Sequence, residues 1–274
     1  MIMKRYLKIL TLFLSIGVLF IVSGCTNVKK RADTVDTWKQ IEQKKRVVIG
    51  LDDSFVPMGF RQKDGQLVGY DIDLAKEVFK LYGITPDFQT IDWSMKETEL
   101  RNQTIDLIWN GYTKTPERAK NVAFSKTYLK NEQYLVSKKS QDITSPEAMR
   151  GKILGLQSGS SGYQAYQENP KTLKQYVKET VQYDTFNNAF MDLDANRIQG
   201  LLIDSVYANY YIAHKKDPAS YRKINAGFSS EDFVVGMRKG DKTLRQKINR
   251  ALDILEKNGT LKRLNEKWFG DTKG

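Results

Sequence analysis

The chain has 274 residues, with 44 Lys and Arg against 32 Asp and Glu for a formal charge of +12, one cysteine and one histidine. That length can bury two separate cores, and a single cysteine excludes an internal disulfide, a cysteine-based metal site and an internal thiol pair. A basic balance can mark a nucleic-acid binder, but these cations are spread evenly among the acids with no cluster alternating with aromatics, so neither a nucleic-acid partner nor a cofactor is expected.

Lys4, Arg5 and Lys8 form a short positive region, and Ile9 to Val22 is almost wholly apolar. The run has the length of a secretory leader and is short for a membrane span. Val22-Ser23-Gly24-Cys25 resembles a bacterial lipobox, with Val where Leu is usual. The resemblance implies a lipoprotein signal peptide over residues 1–24 and a mature chain that starts at a lipidated Cys25. Losing the leader lowers the formal charge from +12 to +9. Residues 25–37 are polar, carry Lys29, Lys30 and Arg31 and have no apolar period, so they read as a flexible tether. A Gram-positive envelope fits the lipobox and the basic tether.

Beyond the tether, strands and helices alternate. Arg46–Gly50 is a short β-rich run. Ile72, Leu74, Ala75, Val78, Phe79 and Leu81 repeat at helical spacing. Pro86–Ile91 predicts a strand, Met95–Asn102 a helix and Ile105–Trp109 a buried strand. Thr115-Pro116-Glu117-Arg118 is a helix start, with a capping hydroxyl, proline in the first turn and an acid at the positive dipole end. Gln133–Val136 is another strand. A second series opens at Gly151–Leu156 and runs through a helix at Phe186–Leu193 to the strand Gly200–Ile203. Leu244–Phe269 predicts two amphipathic helices broken at Asn258-Gly259. The one histidine, His214, follows Tyr210-Tyr211-Ile212-Ala213 and reads as an exposed helix end. Alternating strands and helices predict an α/β chain with mixed sheets covered by helices on both faces, and two series predict two lobes.

Gly69-Tyr70-Asp71-Ile72-Asp73-Leu74-Ala75 resembles the signature segment of the solute-binding proteins of polar amino-acid ABC importers. So do Asp52-Asp53-Ser54-Phe55-Val56-Pro57, Asn110 to Arg118, Phe124-Ser125, Gln157 to Ser161, Leu202-Ile203-Asp204-Ser205, Asn258-Gly259-Thr260-Leu261 and Lys267-Trp268-Phe269-Gly270. Each is weak alone, but their order and spacing over about residues 46 to 270 are specific. Phe79 departs from the signature, where a smaller residue is usual. The resemblance implies a two-lobed, type II periplasmic-binding-protein-like fold with a hinge. Lobe 1 would span 38–135, lobe 2 136–228, and 229–274 would return to lobe 1, with crossings near Gln133–Ser137 and Asn225–Phe233.

A free amino acid is a zwitterion, so burying it requires a partner for each charge. Arg alone offers a planar two-pronged donor for a carboxylate. Arg118 sits in the first turn of a predicted helix, and Thr113 adds a hydroxyl five residues earlier. The resemblance implies that these two, with the Gly111 backbone in the segment opened by Asn110, clamp the ligand carboxylate. Ser160 and Ser161, in a loop entering a helix, would complete that grip from lobe 2. Asp204 follows an apolar strand, where a sheet edge lines a cleft, and matches the family's acid for the ammonium; a simple helix-capping Asp is the alternative. Phe55 and Trp93 match aromatic positions that flank the ligand, with ordinary core packing as the competing reading. Asp52 and Gln157 match contacts to the distal side chain. None of these matched positions supplies a second cation, so a neutral polar or cationic ligand is expected. Asp53 and Glu231 would also favour a cation.

The expected function is capture by hinge closure, without chemistry, by a monomer that passes its ligand to a separate membrane permease and ATPase. A dehydratase on the same architecture would need a general acid or base. A sensor domain would need an output segment, and none is visible after residue 270.

Overall fold

A computed structural model describes residues 31–270; Cys25 and the proposed leader lie outside the described residues. After the helical residues 31–34 come α1 (Trp38–Lys44), β1 (Arg46–Leu51), β2 (Ser54–Phe55), β3 (Gly59–Arg61) and β4 (Leu67–Val68). Next come α2 (Tyr70–Lys80), β5 (Thr85–Thr90), α3 (Lys96–Asn102), β6 (Leu107–Ile108), α4 (Pro116–Ala119) and β7 (Ala123–Phe124). The helical spacing of Ile72, Leu74, Ala75, Val78 and Phe79 puts all five in the core. Phe79, the departure from the signature, is fully buried with Trp109 at a ring distance of 6.5 Å.

The chain then runs through β8 (Leu129–Asn131), β9 (Gln133–Lys138), β10 (Ile153–Gln157), α5 (Ser161–Glu168), β11 (Glu179–Tyr183), α6 (Phe186–Asp194), β12 (Gly200–Asp204), α7 (Ser205–Ala213) and β13 (Tyr221–Asn225). It ends with β14 (Glu231–Phe233), β15 (Gly236–Met237), α8 (Lys242–Lys257) and α9 (Thr260–Phe269). The expected break at Asn258-Gly259 is a turn in which Gly259 has φ 77°, a left-handed conformation that costs glycine little.

Two five-stranded sheets form the lobes. Lobe 1 has the order β5-β1-β6-β15-β7 and lobe 2 the order β11-β10-β12-β9-β13. In lobe 1, β1 is parallel to β5 and β6, while the returning β15 inserts antiparallel between β6 and β7. The first sheet is therefore completed only after the second lobe has been built. Strands β8 and β14 pair with each other alone, Glu231 opposite Asn131, and form the two-stranded connection between lobes.

The crossings differ from expectation on one side. Gln133–Lys138 belongs to lobe 2, paired along its length with β12 and β13. The first crossing is therefore β8, and lobe 2 begins several residues before 136. An apolar run on its own does not say which sheet a strand joins.

The expected tether is also shorter than residues 25–37. Residues 31–34 are helical and Ala32 is buried. The Ala32 carbonyl accepts from Gly240 N at 3.0 Å, and Thr37 donates its N–H and hydroxyl to Asp241 at 2.8 and 2.7 Å. Contacts made 204 positions away replace local periodicity as the ordering force.

Arg238, 1% exposed, closes this corner. It pairs with Asp241 at 2.8 Å and Asp106 at 2.9 Å, and donates to the Ile105 carbonyl at 2.7 Å and to Thr37 Oγ1 at 3.2 Å. Arg238→Ala leaves two carboxylates around an uncompensated cavity, so unfolding free energy should fall by about 3–5 kcal/mol. A urea titration of both proteins measures it, and a loss below about 1 kcal/mol would show the network to be dispensable.

Candidate functional site

The lobes meet along a polar seam. From lobe 1, Asp52 directly follows β1, Phe55 lies on β2, and Thr113 and Arg118 flank the start of α4. From lobe 2, Gln157 ends β10, Ser160 and Ser161 begin α5, and Asp204 ends β12. The carboxyl ends of the strands bring these residues to one cleft, as parallel sheets do.

Lobe-to-lobe contacts are direct. Gln157 Nε2 donates to Asp52 Oδ2 at 3.0 Å, Thr113 Oγ1 lies 3.1 Å from Ser161 Oγ, and Thr115 Oγ1 lies 3.2 Å from Gln164 Oε1. The Phe55 ring packs on Phe186 and Tyr207 of lobe 2 at 5.9 and 5.4 Å. The molecule is in a closed arrangement. Burial pushes the Asp52 carboxyl above its usual range despite hydrogen bonds from Ser54 and Gln157.

Arg118 is buried at this seam. Its backbone N–H is capped by Thr115 Oγ1 at 3.2 Å, which fixes the first turn of α4. Nη1 donates to the Thr113 carbonyl at 2.7 Å, Nη2 to the Gly159 carbonyl of lobe 2 at 3.2 Å, and Nε lies 3.5 Å from Glu97. The guanidinium carbon stands 4.5 Å from the centre of the Tyr112 ring, a stacked cation–π geometry. Each Nη carries two protons, so one on each remains for an anion.

Ser160 and Ser161 divide the labour expected of them. Ser160 Oγ caps α5, accepting from Tyr163 N at 3.0 Å and donating to the Gln157 carbonyl at 2.8 Å. Ser161 Oγ faces the cleft, within 3.4 Å of Glu231 as well as close to Thr113. Asp204 does not cap α7, which removes the alternative reading of that residue. Its Oδ1 accepts from Asn131 Nδ2 and from Gln133 Nε2 at 3.0 Å. Burial, then the charge of Glu231, pushes the Asp204 carboxyl well above its ordinary range.

Three candidates turn inward. The Gly111 N–H, expected to reach a ligand carboxylate, donates instead to Asp71 Oδ2 at 2.7 Å. The backbone there is left-handed, with φ 56°, and that conformation aims the amide into lobe 1. Asn110 accepts from Asp52 N at 3.2 Å and so holds the Asp52 turn. Trp93 packs in the lobe 1 cluster with Tyr112, Leu100 and Ile105.

Folding also brings in residues that the sequence reading missed. Lys96, on α3, is buried and donates to the Trp93 carbonyl at 2.9 Å and across the seam to Gly159 O at 2.8 Å. Burial, then the nearby Arg118 charge, lowers its pKa to about 7. It is a second cation at the cleft edge, committed to two carbonyls and to Glu97 at 3.4 Å. Tyr112 backs Arg118, and Asn131 and Gln133 serve Asp204. Asn131 and Gln133 are two residues apart across the entry to a strand, a spacing that puts both on one face; that period was the available signal. Asp53 pairs instead with Arg61 at 2.6 Å on the surface. His214 is exposed, stacked on Tyr210 at a helix end. No group of three metal-ligating side chains occurs among the described residues.

The model of the bacterial extracellular solute-binding proteins, family 3, matches residues 47–271. A crystal structure of an ABC uptake transporter substrate binding protein from Streptococcus pneumoniae with bound histidine is 52% identical, with TM-score 0.85, covering 86% of this chain and 97% of that one. The arginine-binding extracellular protein ArtP of Bacillus subtilis is 30% identical over 227 residues, 82% of this chain and 87% of that protein. The ancestral amino-acid-binding protein AncCDT-1, a precursor of cyclohexadienyl dehydratase, is 30% identical with TM-score 0.77, covering 85% of this chain and 100% of that one.

Asp71 supports the loop beneath Arg118, with Oδ2 accepting from Gly111 N and, at 3.0 Å, from Tyr128. Burial raises its pKa to about 7. An unfolded aspartate loses its proton near about pH 4, so between those values the folded state holds the extra proton. Its contribution to stability is full below about pH 4 and is lost as pH rises through about 7, up to about 4 kcal/mol. Asp71→Asn should flatten that part of the stability–pH curve, measured by urea unfolding across the window. Parallel curves for the two proteins would show that Asp71 titrates normally.

Proposed function

The chain belongs to the bacterial extracellular solute-binding proteins, family 3, and we propose that it is the substrate-binding component of an amino-acid ABC importer. It captures a free polar amino acid, neutral or cationic, between its lobes. The observation that carries this reading is the opposition of charges at the seam. Arg118, with one proton left on each Nη, faces a ligand carboxylate, and Asp204 with its two amide donors faces the ammonium. Thr113 and Ser161 add hydroxyls beside them.

Ligand preference follows from the charges. Asp52, Asp204 and Glu231 line the seam, while Lys96 is held by carbonyls. Asp52 and Gln157, joined across the lobes, stand where a distal side-chain group would be met, and Phe55 covers the apolar part. A cationic side chain gains a counter-charge there and an acidic one gains none. Histidine, arginine, glutamine and cystine are among the ligands named for similar proteins, and the first three carry nitrogen at the distal end.

Closure serves transport. The paired strands β8 and β14 connect the lobes, and closed lobes present a joined surface that a permease can distinguish from an open one. We place no chemical step on the bound molecule. Cys25 carries lipid at the mature N-terminus and holds the monomer at the outer face of the membrane, the polar residues after it forming the tether. Among the described residues no helix is long and apolar enough to cross a membrane.

Calorimetric titration of the mature protein with the common amino acids tests the reading. A binder should also raise unfolding free energy by about 2.7 kcal/mol at a hundredfold excess over its dissociation constant. Arg118→Ala should weaken binding by about two to three and a half decades, since a buried ion pair loses one member. Arg118→Lys should lose much of it, because an ammonium cannot fork. Near-parental affinity in Arg118→Ala would sink the site. Separately, Cys25→Ser should release the protein into the medium with binding intact; retention in the membrane fraction would assign anchoring to the apolar leader.

A further inference from the structure

We propose that Glu231 joins Asp204 in a two-carboxylate seat for the ammonium group of the ligand, so that the hinge itself carries a binding residue. The proposal rests on the reading of the cleft as an amino-acid site and extends it to a residue outside the motifs that identify the family.

Glu231 opens β14, half-buried, directly opposite Asn131 on β8. Its Oε2 accepts from Asn131 Nδ2 at 2.8 Å and from Gln133 Nε2 at 3.0 Å, and lies 3.3 Å from Thr113 Oγ1 and 3.4 Å from Ser161 Oγ. The same two amide nitrogens donate to Asp204 Oδ1. A side-chain amide has two N–H donors, so each amide is divided between the two acids, and the two carboxylates converge on one small volume. Two anions so placed repel, and neither amide brings a charge to offset them. An ammonium offers three donors and one positive charge, which matches both needs at once.

An independent observation points the same way. Gln133 is 1% exposed and its Oε1 has no hydrogen-bond partner among the described residues. That oxygen faces the Ser161-Gly162 turn, 2.6 Å from where a Cβ on Gly162 would stand. The amide that serves both carboxylates thus keeps a buried acceptor unpaired, an incomplete polar arrangement in the free protein.

The charged groups around the seat are few. Arg118 faces it from lobe 1 and is the cation that acts on Asp204. Asp232, next in β14, points to the other face and pairs with Lys130. Glu132, next to Asn131, accepts from Asn225 at 3.0 Å on the outer side. Burial and then the Glu231 charge push the Asp204 carboxyl well above its ordinary range, so the pair of acids is costly to charge fully in the free protein. A seated ammonium favours the charged form of both carboxylates, so binding should release protons to the buffer.

The test uses the mature protein, L-arginine and L-histidine, and their analogues lacking the α-amino group. Calorimetry is run in buffers of differing ionisation heat. Glu231→Gln keeps an acceptor for Asn131 and Gln133 and removes only the charge. It should weaken whichever amino acid the parent binds by about 10- to 100-fold, reduce the proton release, and leave the weaker binding of the deaminated analogue unchanged. A ligand-free melt of the variant should match or exceed the parent's, since repulsion with Asp204 is relieved. If the variant binds the amino acid within about twofold of the parent, or loses the deaminated analogue equally, Glu231 is a hinge strut and the proposal fails while the amino-acid site stands. If the parent binds neither probe nor any other common amino acid, the site reading itself falls and this one with it.

Discussion

A guanidinium buried where two lobes meet constrains everything around it. Arg118 is too strongly charged to be left dry without partners, and the fold meets that demand by dividing it. One nitrogen is held by the Thr113 carbonyl of its own lobe and another by the Gly159 carbonyl of the other lobe, over the face of Tyr112. Lys96 grips the same Gly159 carbonyl. Closure of the lobes is therefore built in part from cations of lobe 1 reaching backbone oxygens of lobe 2. On the proposed reading, capture of a carboxylate and closure of the hinge draw on the same few groups, which is a physical basis for coupling the two.

The opposite end of the seam has the opposite charge. Asp204, Glu231 and Asp52 gather there under neutral amide donors, and burial keeps two of the three reluctant to ionise. A ligand that is anionic at one end and cationic at the other is complementary to such a site as a whole. Water can solvate either end of the open cleft, but not once Phe55 has closed against Phe186 and Tyr207. The aromatic contact thus sets the dielectric in which the polar contacts act.

The hinge is more than a connection. β8 and β14 pair only with each other, and Asn131 and Glu231 sit opposite one another at their cleft end. Side chains on the crossing strands therefore reach Thr113 of lobe 1 and Ser161 of lobe 2, and a change of lobe angle moves those groups relative to the hinge. The return strand β15 lies inside the lobe 1 sheet, between β6 and β7. Lobe 1 cannot close its core without chain that has already passed through lobe 2, which ties the two folding units into one molecule.

Much of this was legible in residue order. Helical spacing in 72–79, the capped start Thr115-Pro116-Glu117, the apolar strand before Asp204 and the Asn258-Gly259 break are local signals, set by backbone sterics and side-chain periodicity within a few positions; Leu81, counted in the same run, lies past the helix end and is exposed. Motif order marked Arg118, Thr113, Asp204, Ser161, Asp52 and Gln157, and the fold brings these to one seam. Tertiary structure alone decided the rest, because the deciding contacts join residues far apart in the chain. The Gly111 amide turns to Asp71, 40 positions away. Residues 31–37 are ordered by Asp241 and Gly240. Gln133–Lys138 becomes a lobe 2 strand through its pairing with β12 and β13. Lys96, which nothing in its predicted helix singled out, is buried and donates to a carbonyl 63 positions on. Periodicity fixes which face of an element is apolar; it carries no information about which distant partner that face, or a polar residue at its edge, will meet.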